Sequence, residues 1–339
     1  MNSNALQKIL VIQTAFIGDV ILATAMLEKL HHFHPNAKID FLVRKGNESL
    51  LKDHPYLNEV LVFDKTKGKY KNLWNMIMKI RSTEYDYVVN AQRFATTGII
   101  TALSGAKVKI GFDKNPMSFL FTKKYPHEIA ESNTNKISHE VDRNQLLISD
   151  LTDTSSLKPK LYPLESDFEI TSIYKNGDYI CLAPTSVWFT KQYPKEKWIE
   201  FIDQIEEGLK VYLLGAPGDK TECDDIIKKC NRSNVENLAG KLNLLQSAAL
   251  MKDSKMNYVN DSAPMHLCSA VDAPVCAIYC STVPYFGFGP LSSDSYVVET
   301  HENLDCRPCG LHGYKECPKG HFNCAKTIQV NDLLKLIKA

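Results

Sequence analysis

The sequence predicts an α/β fold made of two domains, each built on a parallel β-sheet. Short runs of apolar, β-branched residues alternate with segments whose apolar residues recur at helical spacing. The alternation occurs twice, and the polar stretch LTDTSSLKPKLYPLESD (151–167) separates the two series. A chain of 339 residues suits two domains of roughly 150 residues each. Strand–helix–strand units of this kind form parallel sheets covered by helices.

The first series opens with KILVI and ends in the segment HEVDRNQLLI (139–148). We expect a domain over residues 1–160. Its predicted strands are 8–12, 38–43, 59–63, 85–91 and 107–112, and its predicted helices are 20–33, 70–82 and 140–149.

The second series opens with YICLAP and predicts a domain over residues 161–330, followed by a closing helix over 331–339. Its predicted strands are 179–184, 210–215, 256–260 and 273–279, and its predicted helices are 195–207 and 219–230.

Composition excludes several classes of protein. The net charge is +1, so no overall field attracts nucleic acid, and we expect none as a partner. No run of 18 apolar residues predicts a transmembrane helix. The N-terminus lacks the basic, apolar and small-residue order of a signal peptide, so we expect a cytoplasmic protein.

Ligands of parallel sheets bind in the loops after the strands, which makes QTAFIGDV (13–20) the first loop of interest. Only Gly18 is present where a dinucleotide fingerprint needs three glycines, so a nicotinamide-dependent oxidoreductase is disfavoured. Asp19 stands at the start of the next helix. It is either a helix cap or a carboxylate that acts as a general base.

Two loops of the second series carry groups that suit a nucleotide. The segment APTSVWFTKQYPKEKW (183–198) is either a solvated polar loop or a phosphate site. In GAPGDKTE (215–222), Asp219 would repel a triphosphate, so a P-loop is rejected, but its carboxylate suits ribose hydroxyls. The phosphate-site candidates are Thr185, Ser186, Thr190 and Lys191.

The segment NDSAPMHL (260–267) follows a short apolar run and predicts a helix start. Asp261 or Ser262 would cap the helix, and Pro264 suits its first turn. The alternatives are a capped helix with a buried His266, or a helix start whose backbone N–H groups hold a phosphate.

Four cysteines lie close together near the C-terminus, with His312 and His321 among them. Four thiolates within 19 residues predict either a structural zinc site or a set of reduced thiols. The four are Cys306, Cys309, Cys317 and Cys324.

Taken together, these loops resemble glycosyltransferase family 9, the ADP-heptose:lipopolysaccharide heptosyltransferases. The resemblance runs along almost the whole chain and is carried by KILVIQTAFIGDVILATAML, PTSVWFTKQYPKEKW, NDSAPMHLCSA and HEVDRNQLLI. It implies a GT-B fold, with two Rossmann-like α/β/α domains facing across a cleft. The acceptor would lie on the N-terminal domain and the nucleotide-sugar donor on the C-terminal one.

The resemblance also implies residue roles. Asp19 matches the catalytic base and Lys191 the lysine on the donor phosphates, with Thr185, Ser186 and Thr190 as hydroxyl neighbours. Asp219 would bind the ribose and Leu242 would lie against adenine. The donor-phosphate loop would be formed by Asp261, Ser262, Ala263 and His266.

The implied reaction transfers heptose, with inversion, from ADP-L-glycero-D-manno-heptose to the lipopolysaccharide inner core, with no cofactor required for catalysis. Ala263 replaces the family's glycine and Tyr193 replaces a tryptophan, departures that leave another nucleotide sugar as the alternative donor. Gln92 and Arg93 follow the fourth strand and are assigned to the acceptor. The segment KTKGKYKNLW (65–74) is either a solvated face or a contact with acceptor phosphates or the inner face of the cell membrane.

Overall fold

A computed structural model describes residues 7–66, 68–132 and 138–337. The chain divides into two compact units. One comprises Met1–Ala130 with Asn135–Tyr162, and the other comprises Glu131–Thr134 with Pro163–Ala339.

The first unit contains a six-stranded sheet in the order β3-β2-β1-β4-β5-β6, in which every pair of neighbours is parallel. Its strands are β1 Lys8–Ile12, β2 Lys38–Arg44, β3 Glu59–Phe63, β4 Tyr87–Asn90, β5 Val108–Phe112 and β6 Lys123–Tyr125. Its helices are α1 Ile17–Phe33, α2 Lys69–Thr83, α3 Ala95–Leu103 and α4 Glu140–Leu146.

The second unit contains another parallel six-stranded sheet, in the order β12-β11-β10-β7-β8-β9. Its strands are β7 Tyr179–Ala183, β8 Lys210–Leu213, β9 Val235–Asn237, β10 Asn257–Asn260, β11 Val275–Tyr279 and β12 Ser295–Glu299. Its helices are α5 Glu165–Thr171, α6 Lys195–Asp203, α7 Lys220–Lys229, α8 Leu244–Lys252, α9 Ala263–Val271, α10 Asn323–Lys326 and α11 Val330–Leu334.

The two sheets have the same topology. In each, the first three strands run outward to one edge and the next three run outward to the other edge. The first and fourth strands are therefore neighbours, and the loops that follow them leave for opposite faces of the sheet. This reversal of strand order is the place where open α/β sheets bind ligands.

The predicted α/β class with parallel sheets is confirmed, and the central strands are the ones that sequence located best. Strands β1 and β7 match the apolar runs because parallel strands are buried on both faces. The three strands not predicted, β6, β9 and β12, each lie at a sheet edge and carry exposed or half-buried positions. An edge strand has a neighbour on one side only, so its sequence is less apolar.

Several predicted helices are shorter than expected. The helix predicted over 140–149 ends at Leu146, because the chain tightens into successive turns that continue to Thr152. The closing helix predicted over 331–339 is observed as Val330–Leu334, and residues 338 and 339 lie outside the described residues.

A buried carboxylate on β2 binds the residues that lead into β3 and β4. Asp40 on β2 is 3% exposed and accepts hydrogen bonds from Tyr85 Oη at 2.5 Å and Asn58 Nδ2 at 2.8 Å. Tyr85 is itself part of the apolar core beneath α2 and α3. Two good donors offset the cost of removing this carboxyl group from water.

We predict that Tyr85→Phe lowers the free energy of unfolding by about 1–3 kcal/mol, because Asp40 keeps one donor instead of two. Urea denaturation at neutral pH measures the change. Tyr70→Phe is the matched control, since Tyr70 is 83% exposed and its hydroxyl faces water. Equal stabilities of the two variants would contradict a role for the Tyr85 hydroxyl.

Candidate active site

The strand order of the first sheet reverses between β1 and β4, and both predicted groups of this unit lie there. Asp19 follows β1, and Gln92 and Arg93 follow β4. The two loops are tied together by hydrogen bonds. Thr14 Oγ1 donates to Gln92 Oε1 at 2.7 Å, and Gln13 Nε2 donates to the Ala91 carbonyl at 3.2 Å.

Asp19 caps the helix that follows β1, and its carboxyl group has a raised pKa. It is the third residue of α1, and its Oδ2 accepts from the Phe16 N–H at 3.1 Å, which caps the helix start. The pKa of Asp19 is raised to about 6, mainly because the carboxyl group is withdrawn from water and next because the negative charge of Glu140 acts on it. The hydrogen bonds to the Phe16 and Asp19 backbone and the charge of Arg93 oppose this rise. Asp19 is therefore a helix cap that titrates close to neutrality.

Glu140 belongs to a buried charged cluster that sequence reasoning missed. Its carboxylate lies 3.1 and 3.2 Å from His127 Nε2 and accepts from Arg143 Nε at 2.8 Å. Burial favours the neutral acid, but the hydrogen bonds and charges of His127 and Arg143 outweigh it, so the pKa of Glu140 is lowered. Glu140 is thus the negatively charged member of the cluster, and its charge acts on Asp19. The spacing of Glu140 and Arg143 in HEVDRNQ was the available sequence signal.

Cationic side chains gather beside the Asp19 loop. Lys65 Nζ donates to the Thr14 carbonyl at 2.9 Å and to Thr14 Oγ1 at 2.8 Å. Its pKa is lowered by burial and by the charges of Arg44 and Lys69. The Arg44 guanidinium lies 5.1 Å from the centre of the Phe16 ring. Of the predicted basic segment 65–74, Lys65 therefore joins the loop and Lys67 lies outside the described residues.

In the second sheet the reversal falls between β7 and β10, and it brings Lys191 and Asp261 together. Lys191 ends a short 3₁₀ turn after β7, and Asp261 follows β10 directly. Lys191 Nζ lies 2.7 Å from Asp261 Oδ2, and Thr282 Oγ1 donates to the same oxygen at 2.6 Å. Both charged side chains are largely buried, so the ammonium is held in place before any ligand arrives.

Asn260 and Thr190 hold the loops around this ion pair. Asn260 Oδ1 accepts from the Tyr193 N–H at 2.8 Å, and its Nδ2 donates to the Pro184 carbonyl at 3.0 Å. Thr190 is buried, and its hydroxyl oxygen accepts from the Tyr314 N–H at 2.8 Å and from Ser281 Oγ at 3.0 Å. Thr190 is thus engaged in shaping the loop, whereas the predicted Thr185 and Ser186 are half-buried beside it.

Helix α9 begins as the segment NDSAPMHL predicted, with Ser262 as its N-cap and Pro264 in its first turn. Ser262 occupies the N-cap position, but its hydroxyl donates to the Asn260 carbonyl at 3.3 Å and makes no hydrogen bond to a backbone N–H of the helix, so the predicted side-chain cap is not formed. Because proline has no N–H, the donors offered by the first turn come from the backbone near Ala263. His266, in the second turn, is buried.

Asp219 and Leu242 lie on two loops that touch. Asp219 Oδ2 accepts from the Ala216 N–H at 2.7 Å and closes a 3₁₀ turn after β8. The Gly240 N–H donates to the Gly215 carbonyl at 2.9 Å, and a Cβ on Gly240 would lie 2.8 Å from Pro217 Cα. This close approach sets Leu242, which is half-buried, near the Asp219 turn at the same sheet edge.

The zinc hypothesis for Cys306, Cys309, Cys317 and Cys324 is not supported. Across the described ranges no group of three or more His, Cys, Asp or Glu side chains is placed to hold a metal ion. Cys324 is instead part of the apolar core of the second unit, and Cys309 Sγ donates to the Cys306 carbonyl at 3.4 Å. The short spacing brought the cysteines near each other without directing their sulfurs to one point.

Comparison with known proteins places these features in one family. Residues 73–314 match the model of glycosyltransferase family 9 (heptosyltransferase). The chain is 26% identical to lipopolysaccharide heptosyltransferase 3 of Escherichia coli, over 79% of this chain and 82% of that protein.

Two solved structures share the fold. A family 9 glycosyl transferase from Veillonella parvula superposes with a TM-score of 0.80 at 21% identity, covering 97% of this chain and 95% of its own. The ADP-heptose lipopolysaccharide heptosyltransferase II of E. coli gives 0.78 at 22% identity, covering 97% of each chain.

The fold is the GT-B fold that the sequence predicted. The chain belongs to glycosyltransferase family 9, and it is a glycosyltransferase.

We predict that Asp19→Asn raises the free energy of unfolding at pH 8, by about 1–3 kcal/mol. The folded-state pKa of Asp19, about 6, lies above that of an unfolded aspartate, so ionisation of Asp19 destabilises the fold as pH rises from about 4 through 6. The gain should shrink toward pH 4, where the carboxyl group is neutral. Denaturant unfolding at several pH values measures it.

Asp142→Asn is the matched control for that experiment. Asp142 is the third residue of α4 and caps it through the His139 N–H at 3.0 Å, but it is exposed. It should show no such gain at high pH. A gain in stability in the control, or no gain in Asp19→Asn, would contradict the idea that ionised Asp19 destabilises the fold.

Proposed function

We propose that the protein is an inverting heptosyltransferase. It transfers heptose from ADP-L-glycero-D-manno-heptose to the inner core of lipopolysaccharide, and it works in the cytoplasm at the inner face of the cell membrane. The observation that carries the proposal is the Lys191–Asp261 pair, 2.7 Å apart where the second sheet reverses. Membership of family 9 and the ADP-heptose-dependent relative support the choice of donor.

The second unit would hold the donor. Lys191 and the start of α9, from Asp261 to Ala263 with His266 one turn on, would face the diphosphate, with Thr185, Ser186 and Thr190 shaping the loop beside it. Asp219 would contact the ribose and Leu242 the adenine. The support is their common position at the carboxyl edge of the second sheet.

The first unit would hold the acceptor. Gln92 and Arg93 lie at the reversal of the first sheet beside Asp19, and Lys65 and Arg44 add positive charge there. The lipopolysaccharide inner core is an anionic glycolipid, so this charge suits it. Asp19 is the one carboxylate of the loop, and it would accept the proton of the attacking hydroxyl.

The transfer is a single in-line displacement. The acceptor hydroxyl loses its proton while its oxygen bonds to the anomeric carbon of the donor. The bond between that carbon and the ADP oxygen breaks on the opposite side, so the configuration inverts. The proton goes to Asp19, and the negative charge that grows on ADP meets Lys191 and the positive end of α9. These groups are fixed before the reaction, so they stabilise the leaving group without a catalytic metal ion.

We predict that Lys191→Met weakens ADP binding by about 10- to 100-fold, because the diphosphate loses a cation and keeps the Asp261 charge nearby. Calorimetric titration with ADP measures this change. The same titration with UDP, GDP and NAD⁺ shows which nucleotide the protein prefers. Lys195→Met is the control, since Lys195 is also ion-paired but bridges Glu222 and Asp225 at the surface. A preference of the unmodified protein for UDP or GDP would assign another nucleotide sugar.

We also predict that Asp19→Asn lowers kcat by about 10²–10⁴-fold while ADP affinity is kept. In the unmodified enzyme kcat/KM should fall about tenfold per pH unit below pH 6, because only ionised Asp19 accepts the proton and its pKa is about 6. Glu140→Gln should move this limb to lower pH, since it removes the negative charge that raises the Asp19 pKa.

The pH at which kcat/KM begins to fall does not depend on how much of the enzyme is folded. A shift of that pH therefore reports a changed Asp19 pKa and not a loss of structure. Arg93 also faces Asp19 and lowers its pKa, so Arg93→Gln should move the limb the opposite way. Asp142→Asn serves as the neutral control. An acidic limb that stays in place in both Glu140→Gln and Arg93→Gln would contradict the assignment of Asp19 as the base.

A further inference from the structure

Helix α2 carries two apolar faces, and only one of them packs on the protein. Ile77 and Ile80 are buried in the core of the first unit, and Leu73 and Met76 pack against that core. Tyr70, Trp74 and Met78 recur every four residues on another side of the helix. We call these three residues the outer stripe.

The outer stripe is open to solvent along its length. Tyr70 is 83% exposed, Trp74 59% and Met78 47%. Isolated exposed apolar side chains are common on soluble proteins, but three in line on one helix form a continuous patch. Two of them are aromatic residues with a polar atom at the ring edge, the type that settles where a membrane meets water.

The charged side chains of the helix itself have one sign, and one of them, Lys79, is paired with Glu59 of β3. The helix sequence KYKNLWNMIMKIRST contains four basic residues and no acidic one. Lys69 and Lys71 are exposed beside Tyr70 at the start of the helix, and Arg81 is exposed beyond Met78. A helix with aromatic and apolar residues on one side and flanking lysines binds best to an anionic lipid surface.

The start of α2 lies near the Asp19 loop. Lys65, four residues before α2, bonds to Thr14 in that loop, and Asn72 Nδ2 donates to the Asp64 carbonyl at 3.1 Å. A bilayer that contacts the first turns of α2 would therefore lie close to the carboxyl edge of the first sheet. Among the described residues no helix has the length and apolar character to cross a bilayer.

We propose that α2 docks the protein on an anionic phospholipid surface, with Tyr70, Trp74 and Met78 inserted among the lipid headgroups and Lys69 and Lys71 on their phosphates. This deepens the proposed function, because the acceptor of that reaction is anchored in a membrane. It requires neither donor nor acceptor, so it can be tested separately from transfer.

The experiment is co-sedimentation of the full chain with vesicles of phosphatidylcholine, with and without about one third phosphatidylglycerol. The unmodified protein should bind the anionic vesicles, and raised salt should release it. The triple change Tyr70→Ser, Trp74→Ser and Met78→Ser should weaken the partition coefficient at least about tenfold. The pair Ile170→Ser and Ile173→Ser is the control, since both isoleucines are similarly exposed on the second unit.

A second measurement reports insertion directly. Brominated lipids should quench part of the tryptophan fluorescence of the unmodified protein, whereas Trp74→Phe should bind as before with that quenching lost. Trp198 is buried and Trp188 is half-buried on the second unit, so neither lies on the outer stripe. An unchanged midpoint of urea denaturation in each variant shows that the fold is intact.

Three results would overturn the proposal: no binding of the unmodified protein to anionic vesicles, equal binding of the triple variant, or quenching that persists in Trp74→Phe. A dimer of the unmodified protein that the triple change dissociates, without vesicle binding, would assign the stripe to a second copy of the chain. None of these results bears on transfer to an acceptor in solution, so the proposed function would stand or fall separately.

Discussion

The reversal of strand order in each parallel sheet is the constraint on which both sites depend. Where the first and fourth strands are neighbours, their following loops diverge and leave a space lined by backbone and by the first residues of two helices. In the first unit this constraint sets Asp19 near Gln92 and Arg93. In the second it sets Lys191 against Asp261. Residues 70 apart in sequence thereby become partners, and neither pair depends on a local motif alone.

The same topology explains why charged groups can be kept partly out of water. A withdrawn charge is costly unless it is paired or neutralised, and the two units use different solutions. In the second, Asp261 is paired with the Lys191 ammonium and accepts a hydrogen bond from Thr282. In the first, Asp19 has mainly backbone donors, while Glu140, fixed by His127 and Arg143, repels its charge. The result is a carboxyl group whose pKa, about 6, lies near neutral pH, which is the property that a general base needs.

Sequence alone predicted the parts of this arrangement that have local causes. The central strands are continuous apolar runs, so the sequence located them well. Asp19, Lys191 and Asp261 lie in the loops that follow these strands, so the pattern also predicted that these three residues lie at the carboxyl edges of the sheets. Three edge strands, β6, β9 and β12, were missed because partial exposure dilutes their apolar signal. The Glu140 cluster was missed because His127 lies 13 residues away and meets Glu140 only through the tertiary fold. The cysteines show the converse: their close spacing predicted a possible metal site, and among the described residues no group of three or more possible ligands is placed to hold a metal ion.

Ordering the site before the ligand arrives has an energetic consequence for catalysis. A free lysine side chain loses conformational entropy when it is fixed on a phosphate, a cost of up to about 2 kcal/mol. Lys191 has already met that cost in folding, because Asp261 holds its ammonium and Asn260 and Thr190 hold the loop that carries it. In the transfer we propose, Asp261 would also cancel part of the positive charge of Lys191, so the attraction for the donor diphosphate would be moderated in the ground state. The charge on the leaving oxygen would be largest as its bond to the anomeric carbon breaks, so a fixed cation would stabilise that moment more than the bound substrate.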